Sequence, residues 1–242
     1  MSVNYSEELS QAFILGPDAL KKLVELLEKH IGTISISADC TDNIQREFTT
    51  VKELIDYENP TSKRIRRIYL SARKDFEKSA TIVFRDSSSF SGGMSLSIAA
   101  SEDVVLQLKD KILDIISGTR PWYNFLARSD VDTPTGFAFY LLFFLGVIIL
   151  STFVAFKFGL ISDSKEETKL GDQLSSFILF TSTIFAIVYF ALFSKLLKWL
   201  FPSAVFTIGQ GKSRFKSLKW VQGVVIAFIV SLAAGVVLLI FN

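Results

Sequence analysis

Hydrophobic and polar positions change rhythm along this chain, and the rhythm divides it. After Gly16-Pro17, where proline suits a first helical turn, Leu20, Leu23, Val24, Leu27 and Ile31 recur at helical spacing, and Gly32 closes the run. A second helix is predicted from the N-cap Ser101 to Ser117, with Val104, Val105, Leu108, Ile112, Ile115 and Ile116 as its apolar stripe and Gly118 at its end. A shorter one is predicted over Val51 to Tyr57, stopped by Asn59-Pro60. Between them the period drops to two. Thr33 to Cys40, Arg66 to Arg73, Ala80 to Asp86 and Met94 to Ala100 each set one apolar face against one polar face, as half-buried strands do. Short polar or Gly-rich turns join the last three, which predicts an antiparallel meander. Gln11 to Leu15 is a weaker, edge-strand candidate.

The rhythm then disappears into long apolar runs. Residues 136–158, 174–197 and 220–241 are nearly free of charge. About 20 apolar residues at 1.5 Å rise cross the roughly 30 Å hydrocarbon core of a bilayer, so three spans are expected. The pattern therefore predicts an α+β cytosolic domain, an antiparallel sheet with helices on one face, over residues 1–118. An interfacial linker at 119–135 and a three-helix all-α transmembrane region at 136–242 follow, with a basic cytoplasmic loop at 198–219.

Charge orients that expectation. Basic and acidic residues nearly balance up to Arg128, but no acidic residue follows Asp172, whereas Lys195, Lys198, Lys212, Arg214, Lys216 and Lys219 do. Basic loops stay on the cytoplasmic side, which places the N-terminus inside and the C-terminus extracytoplasmic in a bacterial inner or plasma membrane. Arg120, Trp122, Tyr123 and Arg128 would form an interfacial collar, with Lys198, Trp199, Lys212, Arg214, Lys216, Lys219 and Trp220 at the headgroup level of the inner loop. The first residues carry no basic and apolar leader pattern. Gly223, Ala227, Ser231 and Gly235 fall four apart, and Ser151 and Ala155 repeat the spacing. Such stripes let helices approach closely, either within the chain or in a homo-oligomer.

Candidate chemistry is sparse. One cysteine, Cys40, and one histidine, His30, exclude an intrachain disulfide and the usual zinc sites. No cofactor or metal site and no catalytic constellation is indicated, so an enzyme is not expected. Gly211-Lys212-Ser213 resembles the end of a phosphate-binding loop, but Phe206 stands where its leading glycine belongs. The polar sheet face is more informative. Arg67, Tyr69, Ser71, Arg73, Arg85, Ser95 and Ser97 would share it, joined by Thr81, and guanidinium and hydroxyl donors there suit a small anionic ligand or an acidic protein partner. A solvated outer face is the plainer alternative. Nucleic acid is disfavoured, because no stacking platform accompanies the basic run Lys63 to Arg67.

A charged domain ahead of a few spans resembles, in layout alone, bacterial signalling-membrane effectors. The expected function is a membrane sensor or effector whose ligand or partner alters helix packing and permeability, as in antiphage or stress responses. A membrane-tethered adaptor without channel activity is the alternative.

Overall fold

A computed structural model describes residues 2–74, 78–86, 93–127 and 195–241. The chain divides into two compact units, one of residues 1–124 with 202–242, the other of residues 125–201.

The first unit is built on a six-stranded sheet in which every paired neighbour is antiparallel. Its strands are β1 (Ser2–Leu9), β3 (Thr33–Cys40), β4 (Gln45–Phe48), β5 (Ile65–Lys74), β6 (Lys78–Arg85) and β7 (Met94–Ser101), in the order β1-β7-β6-β5-β3-β4. The β5-β6-β7 meander lies where the period-two pattern places it. Ile36 and Ala38, Ile68, Leu70 and Ala72, Ala80, Ile82 and Phe84, and Leu96, Ile98 and Ala100 all turn to one face and are buried. Two helices cover that face. α1 (Pro17–His30) contributes Leu20, Leu23, Val24 and Leu27, and α3 (Glu102–Ser117) contributes Val105, Leu108, Ile112 and Ile116. Fully burying a side chain of this size is worth about 1.5–3 kcal/mol, so this contiguous cluster is the main source of the unit's stability.

Short elements complete the unit. α2 (Val51–Asp56) starts at Thr50, whose hydroxyl accepts from the Glu53 N–H, while the Glu53 carboxylate accepts from the Thr49 N–H. A 3-10 turn spans Thr61–Lys63. The Gln11-to-Leu15 segment does not join the sheet edge. Its core, β2 (Phe13–Leu15), pairs in parallel with β8 (Ala204–Phe206) in a separate two-stranded sheet. Phe13 makes edge-on contacts with Phe84 of β6 at 5.4 Å and Phe206 of β8 at 5.6 Å, so it joins the two sheets. After β8 the chain enters α5 (Gln210–Phe241), and α4 (Asn124–Ala127) is a single turn. In the second unit, residues 195–200 are helical.

The expected membrane half requires correction. Among the described residues no helix is long and apolar enough to cross a membrane, so neither the three-helix transmembrane region nor integral membrane localisation stands. Span 136–158 and all but the last residues of span 174–197 lie outside the described residues. The run 220–241 is no separate helix but the continuation of α5, whose opening turns are fastened into the sheet unit. Gly211, Phe215 and Gln222 are buried, Arg214 bonds the Asn59 carbonyl, and Lys212, Lys216 and Lys219 are exposed. A lipid-facing span is apolar all round. These turns instead bury one side against protein and present charge on the other. The inside-outside orientation rests on the spans and goes with them.

The junction is likewise drawn into the first unit. The Ile14 N–H donates to the Thr119 carbonyl at 2.8 Å, and the Ala12 N–H donates to Asn124 Oδ1 at 2.7 Å. Tyr123 is buried, which pushes its phenol up to about 12, whereas the neighbouring Trp122 is 63% exposed.

Candidate functional site

The sheet face opposite the helices is polar and open, and strand register orders it in rungs. On one rung Ser35, Ser71, Thr81, Ser97 and Ser6 stand side by side on five successive strands. The Ser71 and Thr81 hydroxyls are 3.3 Å apart. The next rung carries Ser37, Tyr69, Val83, Ser95 and Glu8, and beyond it Asp39, Arg67 and Arg85 lie abreast.

That last rung is where charge accumulates. Arg67 and Arg85 are direct cross-strand partners. Like charges so placed are destabilising by roughly 0.2–1 kcal/mol, and only neighbouring groups offset the cost. The Asp39 carboxylate does so in part. It accepts a hydrogen bond from the Tyr69 hydroxyl at 2.9 Å and stands 3.9 Å from the Arg67 guanidinium. Arg67 holds its proton more firmly than usual, first through the neighbouring Tyr69 hydroxyl and, against the effect of burial, through the charge of Asp39. Arg85 donates to the Ser95 hydroxyl at 3.3 Å.

A register shift adds a further arginine. Asp39 pairs with Arg67 but the next residue, Cys40, pairs with Ile65, so Arg66 is the extra residue of a bulge. Bulges re-aim side chains, and Arg66 and Arg67 are both exposed here. Beside them Arg64 bonds the Asp86 carboxylate at 2.7 Å, and the Asp86 N–H donates to the Arg66 carbonyl at 2.6 Å. Burial raises the Asp86 carboxyl, against the pull of Arg64 and Arg66. Arg214 reaches in from α5, donating to the Asn59 carbonyl at 2.9 Å. Its burial, and then the charge of Arg64, make its proton easier to lose than usual. Arg64 and Arg66 thus stand by Asp86, and Arg67 by Asp39 with Arg85 as its cross-strand partner, at one end of the sheet, while Arg214 comes within the field of Arg64.

The expected face residues therefore separate. Arg67, Tyr69, Arg85 and Ser95 come together, and Ser71 and Ser97 lie one rung away. Arg73 pairs with Thr33 and Ser79 at the far end of β5, about 20 Å from Arg67 along the strand. Arg64, Arg66 and Arg214 were not foreseen on this site. The basic run was visible in the sequence, but the bulge and the return of α5 were not. The small-residue stripe gathers nothing among the described residues. A methyl group added at Gly223 or Gly235 would meet no atom within 4 Å, and the Ser231 hydroxyl bonds the Ala227 carbonyl of its own helix. Ser151, Ala155 and Arg128 lie outside the described residues. Arg120 is exposed, and Lys198 and Trp199 are exposed in the second unit.

The phosphate-loop resemblance also resolves. A strand and a helix do flank Gly211-Lys212-Ser213, but the amides that would cradle an anion are occupied. Gln210 N–H donates to Glu58 O at 2.8 Å, Gly211 to Ile208 O at 2.8 Å and Lys212 to Gly209 O at 3.2 Å. Among the described residues no group of His, Cys, Asp or Glu could hold a metal ion. Cys40 is buried, and His30 ends α1 with its Nε2 buried and its pKa lowered, first by burial and then by Lys111 and Lys29.

No protein-family model, curated protein or solved structure matches the chain.

Proposed function

We propose that the first unit is a binding module for an anionic group, and that occupancy is sensed by α5. The observation that carries this reading is the Arg67–Arg85 cross-strand pair, with Arg66 added by the bulge. Two arginines paired across neighbouring strands, one turned toward Asp39 and the other toward Ser95, offer donors on both sides of the pair that a phosphate-type dianion can bridge. Arginine forks also match phosphate oxygens in geometry. The Ser95 and Tyr69 hydroxyls border the pair and add polar contacts at its rim. The relay is supported by Arg214, which belongs to α5 yet shares the electrostatic field of Arg64. A bound anion alters that field and hence the seating of the opening turns of α5.

The test is calorimetric titration of the full chain with inorganic pyrophosphate, beside the variant Arg67→Gln/Arg85→Gln. The intact chain binds, and the variant loses at least tenfold in affinity with unchanged far-UV circular dichroism. Equal affinity in both, or no heat in either, overturns the reading. The adaptor alternative draws on the same arginines and is separated by the probe. An acidic peptide that binds Arg67 and Arg85 while pyrophosphate does not would place the function in protein recruitment.

A further inference from the structure

β1 is the outermost strand of the sheet. All eight of its residues pair with β7, and among the described residues no segment pairs with its other side. Edge strands are usually blunted by lysine, proline, bulges or brevity. β4, at the opposite edge, is only four residues long, whereas β1 is eight residues long with no lysine, proline or bulge, and its one inward-pointing charge is Glu7.

We propose that this edge pairs with β1 of a second copy of the chain, antiparallel about a two-fold axis through Ser6. The argument is self-complementarity. In that register Ser6 faces Ser6, Tyr5 faces Glu7, Asn4 faces Glu8 and Val3 faces Leu9. Every carboxylate meets a donor and every aliphatic side chain meets an aliphatic one. The Tyr5 hydroxyl already donates to Glu7 within its own strand, so the same donor and acceptor are at hand for exchange across the axis. Centring the pairing on Glu7 would oppose two carboxylates, which is unfavourable. Centring it on Asn4 would leave Glu7 and Glu8 outside the paired segment. Pairing about Ser6 joins the two six-stranded sheets into one of twelve strands, with the hydroxyl rung running unbroken through the axis.

A second observation on α3 points to the same occupant. The Lys109 ammonium lies 4.7 Å above the Tyr5 ring, so that side of α3 looks toward the β1 edge. Leu106 and Leu113 share that side at i−3 and i+4 from Lys109. Leu106 is 54% exposed, and Leu113 is only partly buried. A two-fold at Ser6 brings this apolar pair alongside its own copy, with Lys109 and Asp110 beside it for charge pairing.

Two measurements on the full chain test the pairing. Light scattering behind size exclusion reads a dimer, and Ser6→Lys, which sets two ammonium groups against each other at the axis, weakens it at least tenfold. Register is read by cysteine scanning. Opposed residues on antiparallel strands have Cα atoms about 4.5–5.5 Å apart, within disulfide range. Ser6→Cys therefore cross-links to a dimer under mild oxidation, Asn4→Cys does not, and Asn4→Cys/Glu8→Cys does. A monomeric mass at all concentrations overturns the proposal, as does cross-linking of Asn4→Cys as efficient as that of Ser6→Cys. A dimer insensitive to Ser6→Lys places the interface elsewhere and also overturns it.

Discussion

Replacing Asn59 by alanine tests how the C-terminal segment is held to the sheet. Asn59 is fully buried and adopts a left-handed conformation, φ 49°. Its Nδ2 donates to the Ile208 carbonyl at 3.1 Å, and its Oδ1 accepts from the Ile65 N–H at 2.9 Å. One side chain thus ties the approach to α5 to the start of β5. Alanine removes both partners and leaves a donor and an acceptor in buried surroundings, at about 1–3 kcal/mol each. A Cβ without a local hydrogen bond at positive φ adds roughly 1 kcal/mol. The expected loss is about 3–7 kcal/mol, a large share of the 5–15 kcal/mol typical of a domain. Asn59→Gly keeps the backbone conformation accessible and should lose about 1 kcal/mol less. Urea unfolding of the full chain by far-UV circular dichroism gives the difference. Hydrogen exchange at the Gln210 amide, bonded to Glu58 O, reports whether the junction opens first. A loss below about 1 kcal/mol for Asn59→Ala would refute the claim that this side chain carries the junction.

Further predictions concern glycines and pH. A methyl group at Gly211 would lie 2.1 Å from Phe206 O, and at Gly209 (φ 48°) 2.4 Å from both Tyr57 O and Glu58 O. Gly209→Ala and Gly211→Ala should each cost more than about 3 kcal/mol in the same unfolding assay, because backbone must move. Among the described residues outside α5, Gly223→Ala and Gly235→Ala meet nothing within 4 Å and should stabilise α5 by up to about 1 kcal/mol; a loss there would reveal a close packing partner. The Asp42 carboxyl, hydrogen-bonded by Arg46, is lowered to about 2. Its stabilising contribution is complete above the ordinary carboxyl range and is lost as pH falls through about 2. The stability gap between the intact chain and Asp42→Asn should therefore close on acidification, as read by thermal melts from pH 5 to pH 2. Asp86 is raised instead, so it takes up its proton above the ordinary carboxyl value. Sulfate, which stays dianionic over this range, should bind more tightly as pH falls from 7 to 4, and Asp86→Asn should flatten that dependence in titration calorimetry.

What could be read from the sequence depended on whether one face of an element is buried by its own apolar period. β5, β6, β7, α1 and α3 satisfy that condition, and their residues repeat cleanly because each lies on one side of a single core. β4, Gln-Arg-Glu-Phe, carries no such pattern. It is a strand because Ile36 to Asp39 offer it a ladder, a long-range effect that propensity does not encode. β1 did carry a signal, Val3, Tyr5 and Leu9 against Asn4, Ser6 and Glu8, but Glu7 on the inner face interrupts it. The basic run Lys63 to Arg67 was visible as charge. Its placement beside Arg85 follows from strand register, and the extra arginine from the bulge at Arg66. Apolarity alone misplaces the tail. β8 and the start of α5 look like a linker between spans, whereas their backbone pairs with β2 and packs on the Tyr57-to-Asn59 segment.

The same junction connects the arginine strand to the C-terminal helix through one side chain. Pro60 follows Asn59, and the 3-10 turn Thr61–Lys63 then leads into Arg64, Arg66 and Arg67. Asn59 therefore holds the start of the arginine strand with its Oδ1 and the approach to α5 with its Nδ2. Arg214 closes the loop by bonding the Asn59 carbonyl. On the proposed reading, an anion at Arg66 and Arg67 would act on a segment that Thr41 and Tyr57 hold on one side and the approach to α5 holds on the other. Bound negative charge would also ease the repulsion that Arg64 exerts on Arg214. On that reading binding energy would be applied at a buried amide that has few alternative arrangements, because Gly209 and Gly211 leave no room beside Glu58 and Phe206. A packed junction of that kind shifts between discrete seatings instead of yielding gradually. Arg214→Gln should accordingly leave pyrophosphate affinity within about twofold, since Arg67 and Arg85 remain. It should abolish any anion-induced change in hydrogen exchange along the opening turns of α5. Retention of that change in the variant would show that the two ends communicate by another route.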